Sequence, residues 1–320
     1  MELNDICVIG GGGFVGRHIV HLLAARGLRV RVPARDRERA KDLILLPTVD
    51  VIRADVHDDV MLADCIRGAG AVINLVGVLH DGRGKGAFAA AHVELTRKII
   101  AACEANGVKR YLHMSALGAD VNGPSRYQQS KGAAEALVRA SKLEWTLFRP
   151  SVVFGPDDHF LNLFAKLQAL TPVMFLAKAE ARFQPVYVED VAAAFVRAFE
   201  GRASIGGAFD LCGPRVYTLR ELVTLSGTLG GHPRPVIGLG DALSYLQALA
   251  LECLPVKLMS RDNLASMQVD NISAAPFPFG IKPVSIEAAA PLWFGDANPR
   301  GRYQNYRGHA GRATQAPPSA

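Results

Sequence analysis

The chain has 320 residues, 49% of them hydrophobic and 21% charged, a globular balance that argues against broad disorder and leaves room for one large α/β domain or slightly more. Its net charge is +6, but four arginines (Arg300, Arg302, Arg307 and Arg312) follow the last acidic residue, Asp296, so the body is near +2 and a nucleic-acid partner is not expected. Five scattered cysteines with no C-x-x-C pair point to reduced thiols rather than disulfides or a zinc site. With the first strand predicted at the start of the sequence, no signal peptide is expected, and no run of about 18 apolar residues is present; the expected location is the cytoplasm.

The first predicted strand, residues 6–9, runs into a glycine cluster, Gly10-Gly-Gly-Gly13-Phe14-Val15-Gly16, and then into a helical pattern carrying Ile19, Leu22 and Leu23. Strand, tight turn and helix are the context in which Gly10, Gly13 and Gly16 hold a dinucleotide pyrophosphate: one for the turn, one for close approach, one for helix–strand packing. Phe14 and Val15 fall at the helix start. Further strands are expected at 28–33, 49–54, 71–77, 110–115 and 145–148, with helices at 88–106, ended by Gly107, and at 126–141. That alternation predicts an α/β fold, a doubly wound parallel sheet of Rossmann type. After Pro150 the rhythm changes. Helices are expected at 160–170, 191–199, 219–229 and 242–254, and short strands at 182–188 and 209–211. The predicted organisation is a dinucleotide-binding domain over 1–150, to which 182–200 returns. A smaller substrate-side α/β domain covers 151–181 and 201–295, and a flexible basic tail covers 296–320.

Arg35 is the first charged residue past the second strand, where an arginine suits a 2′-phosphate and a carboxylate a 2′-hydroxyl. NADP(H) is therefore expected, with Asp36 next door keeping NAD open. Asp55 and Val56, after the third strand, suit the adenine end, although a turn aspartate reads almost equally well. Leu75, Val76 and Gly77 end the fourth strand, where open α/β sheets place their ligands. Ser115 ends the fifth, and twelve residues later stands Tyr127-Gln-Gln-Ser-Lys131. Ser125 and Gln128 form a candidate capping box just ahead of it. The i, i+4 spacing puts Tyr127 and Lys131 on one helix face, where an ammonium would lower the phenol pKa and prepare Tyr127 for proton transfer beside Ser115. Nine histidines without an H-x-x-x-H or H-E pairing give no metal site. Glu189 and Asp190 suit a helix start. An apolar face on 242–254 (Leu243, Leu246, Ala250, Cys253 and Leu254) reads first as core. With the basic tail, it also suits peripheral attachment to an anionic inner membrane. The sequence leaves oligomeric state and substrate open.

These motifs resemble the short-chain dehydrogenase/reductase superfamily, in its extended or atypical branch, over about 5–295. Tyr127-Gln-Gln-Ser-Lys131-Gly-Ala-Ala-Glu135, Phe148-Arg-Pro-Ser-Val-Val-Phe-Gly-Pro156 and Pro185-Val-Tyr-Val-Glu-Asp-Val-Ala192 carry the resemblance. It implies Ser115, Tyr127 and Lys131 as catalytic residues, Lys131 on the nicotinamide ribose, and Pro150 and Val153 beside the cofactor. A narrower resemblance rests on Asn74-Leu-Val-Gly77, His113-Met-Ser-Ala-Leu-Gly118, Ser260-Arg-Asp-Asn-Leu264 and Gln268-Val-Asp-Asn271. These look like bacterial relatives of the nucleotide-binding accessory subunit of mitochondrial complex I, which implies tightly held NADPH, a role in respiratory or quinone metabolism and no established turnover. The other reading is an active oxidoreductase, or a nucleotide-sugar epimerase or dehydratase, using Tyr127 and Lys131. Ala116, after Ser115, departs from the sugar-modifying epimerases, where Ser or Thr is usual.

Overall fold

The computed structural model describes residues 5–79, 81, 86–252 and 259–294. The basic tail and the end of the 242–254 helix, with Cys253 and Leu254, lie outside them. The strands of the first half are β1 (Asp5–Ile9), β2 (Arg29–Ala34), β3 (Val49–Arg53), β4 (Ala71–Asn74), β5 (Arg110–Met114) and β6 (Glu144–Pro150). Between them lie α1 (Phe14–Ala25), α2 (Lys41–Ile44), α3 (Asp59–Ile66), α4 (Leu95–Ala105) and α5 (Arg126–Ala140). The second half contributes β7 (Val153–Phe154), β8 (Met174–Ala177), β9 (Arg182–Phe183), β10 (Val186–Tyr187), β11 (Gly207–Leu211), β12 (Tyr217–Thr218) and β13 (Val236–Leu239). Its helices are α6 (Leu161–Leu170), α7 (Val188–Arg197), α8 (Leu219–Leu229), α9 (Asp241–Glu252), α10 (Arg261–Ser266) and α11 (Ile286–Ala289).

Seven parallel strands form the main sheet in the order β11-β6-β5-β4-β1-β2-β3. The order reverses between β1 and β4, the point at which doubly wound sheets open a crevice at the strand C-termini. Alternation along β1 sets the two layers. Ile6 and Val8 face a core shared with α1 and α7, whereas Cys7 and Ile9 face one shared with α3, α4 and α5. A separate cluster around Phe154, Leu161, Met174, Leu222 and Val223 holds α6, α8 and β8 together outside the main sheet.

Three sequence expectations are corrected. The 71–77 strand stops at Asn74, because the Asn74 side chain takes the Val76 amide and removes it from the ladder. The 182–188 strand is two short pieces: β9 pairs with β12 and β10 with β7, broken at Pro185, which has no N–H to donate. Residues 182–200 therefore reach the dinucleotide domain through α7, which packs on α1, and not through a strand of the main sheet. The 209–211 stretch, assigned to the substrate side, is β11, and it extends the main sheet beyond β6. The 88–106 helix is real but starts in a π-helical turn, Ala89–Glu94, before α4. Its end at Gly107 is as read, with φ +68° and the Val108 amide bonded back to Cys103.

Candidate functional site

Gly10 turns the chain out of β1 at φ +87°, a conformation that disfavours any side chain. A Cβ there would also come within 3.2 Å of the Leu75 and Val76 backbone, so the turn closes directly against the end of β4. At Gly16 a Cβ would stand 2.3 Å from the Gly10 carbonyl oxygen, so α1 rests on the turn with no room for alanine. The α1 N-cap, Gly13, offers no side chain to the first amides, and the first turn carries no acidic residue. The first helical bond runs from the Arg17 amide to the Gly13 carbonyl. The N–H groups of Phe14, Val15 and Gly16 are thus left for an anion at the positive end of a twelve-residue helix, and that fits a pyrophosphate.

Because the strands are parallel, the ends of β2 and β3 lie on the same edge as this loop. Arg35 follows β2 and is exposed. Asp36, its neighbour, caps the next 3-10 turn by accepting the Glu38 amide at 3.0 Å. Asp55 is exposed after β3 and accepts the His57 amide at 3.1 Å, so one carboxylate oxygen serves a turn. Val56 and Val76 are half-buried against the core under α3 and α4. Pro150 is buried at the end of β6, and Val153 is half-buried in β7, paired with Val186. Among the described residues no hydrogen bond ties Arg35, Asp55 or Val153 to the tyrosine helix.

The capping box forms as read: the Ser125 hydroxyl takes the Gln128 amide at 3.1 Å, and Gln128 Oε1 takes the Ser125 amide at 3.3 Å. Tyr127 stands in the first turn of α5, with Lys131 one turn on and buried. The expected depression of the phenol pKa is absent; burial pushes it up to about 12. The lysine ammonium is engaged elsewhere, donating to the Met114 carbonyl at 3.1 Å. Burial lowers its pKa to about 8, with Glu135 pulling the other way. Glu135 is itself held by the Arg149 fork. Lys131 Nζ would lie 3.3 Å from a Cβ at Gly77, so the glycine lets the β4 loop reach the lysine. Ser115 is buried one residue past β5, and its hydroxyl has no hydrogen-bond partner among the described residues. A buried orphaned hydroxyl beside the Tyr–Lys helix suits a ligand oxygen.

Sequence reasoning missed His92, which sits in the π-helical turn ahead of α4. The Val78 amide donates to His92 Nε2 at 3.1 Å, which places the ring proton on Nδ1. That proton goes to the Ser130 hydroxyl at 2.8 Å, and Ser130 in turn donates to the Tyr127 carbonyl at 2.8 Å. The ring stacks on Phe88 and meets the Tyr127 edge at 5.6 Å. Burial and the neighbouring Lys131 hold His92 neutral, with its pKa down to about 3. Asn74, Tyr111 and His113 form a second buried polar group behind β4 and β5. The only local clue to His92 is a histidine in an otherwise helical run. The π turn that aims it is not readable from spacing.

A family described as NAD(P)H-binding matches residues 10–166, the glycine loop through to the segment after β7. A ceramide reductase of Caulobacter vibrioides is 31% identical over 233 residues, covering 72% of each chain. The chain belongs to the NAD(P)-binding, short-chain dehydrogenase/reductase-like family. Within this family, the mitochondrial NADH dehydrogenase (ubiquinone) 1 alpha subcomplex subunit 9 of Arabidopsis thaliana is 36% identical over 226 residues, 68% of this chain and 56% of that protein. The chain spans about three fifths of the length of the curated complex I relatives it matches. A nucleoside-diphosphate-sugar epimerase from Staphylococcus aureus superposes with a TM-score of 0.70 at 15% identity, over 90% of this chain and 99% of that one, a likeness of fold. Membership in this family makes the chain a nicotinamide-dinucleotide-binding protein.

Proposed function

We propose that the protein holds NADP(H) as a resident cofactor and serves as an accessory or assembly factor linked to respiratory or quinone metabolism, in the cytoplasm or peripherally on the inner membrane. The observation that carries this reading is the state of the Tyr127–Lys131 pair. The Lys131 ammonium is engaged by the Met114 carbonyl, and the buried phenol has no neighbouring charge among the described residues to lower its pKa, which burial pushes up to about 12. That arrangement suits holding a ribose better than drawing a proton off the tyrosine. The similarity to complex I subunits supports the same reading.

In this reading the amides of Phe14, Val15 and Gly16, with the open backbone at Gly10 and Gly13, take the pyrophosphate. The Arg35 fork takes the 2′-phosphate, because Asp36 is spent on its own turn. Asp55 and Val56 flank the adenine; Leu75, Val76 and Gly77 give the ribose close access to the β4 backbone. Lys131 binds the nicotinamide ribose, and Pro150 and Val153 border the nicotinamide. When bound, the dinucleotide supplies hydride exchange; the chain supplies position and exclusion of water.

A second reading is favoured by one observation, the orphaned Ser115 hydroxyl. It suits a substrate carbonyl, with Tyr127 as proton donor, in a reductase or epimerase. Incubating the purified protein with carbonyl compounds and quinones, while following the near-ultraviolet absorbance of the reduced nicotinamide, separates the two. The proposal expects no oxidation above a Tyr127→Phe control. Tyr127-dependent oxidation by any of these compounds establishes the reductase instead.

A further inference from the structure

The capping box of α5 leaves two first-turn amides unserved, those of Arg126 and of Tyr127 itself. Both are taken by one carboxylate far along the chain. Asp262 Oδ1 accepts the Arg126 amide at 2.8 Å and Oδ2 accepts the Tyr127 amide at 3.2 Å, across 135 residues in the second case. A charged acceptor on two amides at a helix N-terminus is among the stronger caps, because it meets both the donors and the positive end of the dipole. Asp262 lies in α10, whose own capping box (Ser260 and Asn263) fixes its start. The Ser266 hydroxyl, one turn on, lies 2.7 Å from the Ser125 hydroxyl and binds the Asp262 carbonyl.

The other side of α10 belongs to the substrate-side lobe. Leu264 packs with Ala177 of β8 and Ala248 of α9. Beyond α10, Asp270 pairs with Arg182. Asn271 accepts the Ser151 hydroxyl and donates to the Leu117 carbonyl, in the loop that follows Ser115. Residues 260–271 therefore run from the tyrosine helix, past the substrate-side lobe, to the ends of β5 and β6. The nucleotide-binding reading gives this segment no part.

We propose that Asp262 is a positioning residue for Tyr127: its carboxylate completes the cap of the tyrosine helix and ties the phenol to the substrate-side lobe, so that packing in the lobe sets where the phenol stands. The inference rests on Tyr127 belonging to the site and is independent of which dinucleotide is bound.

The test labels the full chain with 3-fluorotyrosine and identifies the Tyr127 resonance, one of seven tyrosines, by its loss in Tyr127→Phe. Asp262→Ala shifts and broadens that resonance; Asp262→Asn, which keeps one acceptor oxygen, shifts it less. As a control, Asp58→Ala removes the cap of α3, where Asp58 accepts the Met61 amide. It lowers Tm by about 2–4 °C without moving the Tyr127 signal. A Tyr127 resonance unmoved in both Asp262 variants, or moved as far by Asp58→Ala, overturns the proposal. If Asp262→Ala does not fold, the Asn variant decides alone. A protein found without nucleotide would contradict the proposed function and leave this inference standing.

Discussion

At the residue scale, the sharpest constraint is Gly16. A Cβ 2.3 Å from the Gly10 carbonyl oxygen has no room to form, and the oxygen belongs to backbone that cannot swing away. Gly16→Ala is expected to cost about 1–3 kcal/mol of stability in a urea titration and to displace the loop enough to lose the dinucleotide. In the proposed reading Arg35 carries the choice between cofactors. Arg35→Ala should weaken NADPH by roughly ten- to a hundredfold, the worth of a charge-assisted pair, and leave NADH nearly unchanged in a binding titration. His92 sets a pH limit. Its ordinary pKa of 6.5 falls to about 3 on folding, so between these values the unfolded chain binds the extra proton. Stability fully present above pH 6.5 is therefore lost as pH falls toward 3, at about 1.4 kcal/mol per unit of pH for this group. The buried His113 titrates in the same direction. A series of denaturant melts should show this acid loss, and His92→Gln should flatten part of it.

At the scale of elements, α5 was legible almost to the residue. Ser125, Gln128 and the Tyr–Lys spacing are local signals, and the capping box forms as its sequence says. What the helix is held by was not legible, because the Asp262 cap comes from 135 residues away and the Arg149 fork on Glu135 from another strand. The π turn at Ala89–Glu94 was hidden for a related reason. Alanine-rich sequence supports α and π turns alike, and tertiary bonds to Val78 and Ser130 select between them. The phenol pKa was misjudged because spacing puts Lys131 on the right face without saying that its ammonium goes to Met114. Gly132 offers a check at this scale. A Cβ there would lie 2.4 Å from the Val121 amide nitrogen, in the loop over α5. Gly132→Ala should destabilise the protein despite its better helix propensity, whereas an alanine at an open helix site gains about 1 kcal/mol.

At the scale of the molecule, the parallel sheet and its reversal between β1 and β4 follow from strands and helices of ordinary spacing, and the glycine loop stands where the reversal requires it. The second half was harder to read. Two-residue strands carry no period, and β11 gave no local sign that it would extend the main sheet and not the smaller lobe. No helix among the described residues is long and apolar enough to cross a membrane. The most direct measurement is acid release of nucleotide from the freshly purified full chain, with mass detection and fluorescence to fix its oxidation state. The expected result is close to one NADPH or NADP⁺ per chain, retained through dialysis and lost in Gly16→Ala. Bound NAD⁺ would contradict the reading of Arg35, and a protein that carries no nucleotide, or exchanges it freely, would contradict the resident-cofactor claim itself.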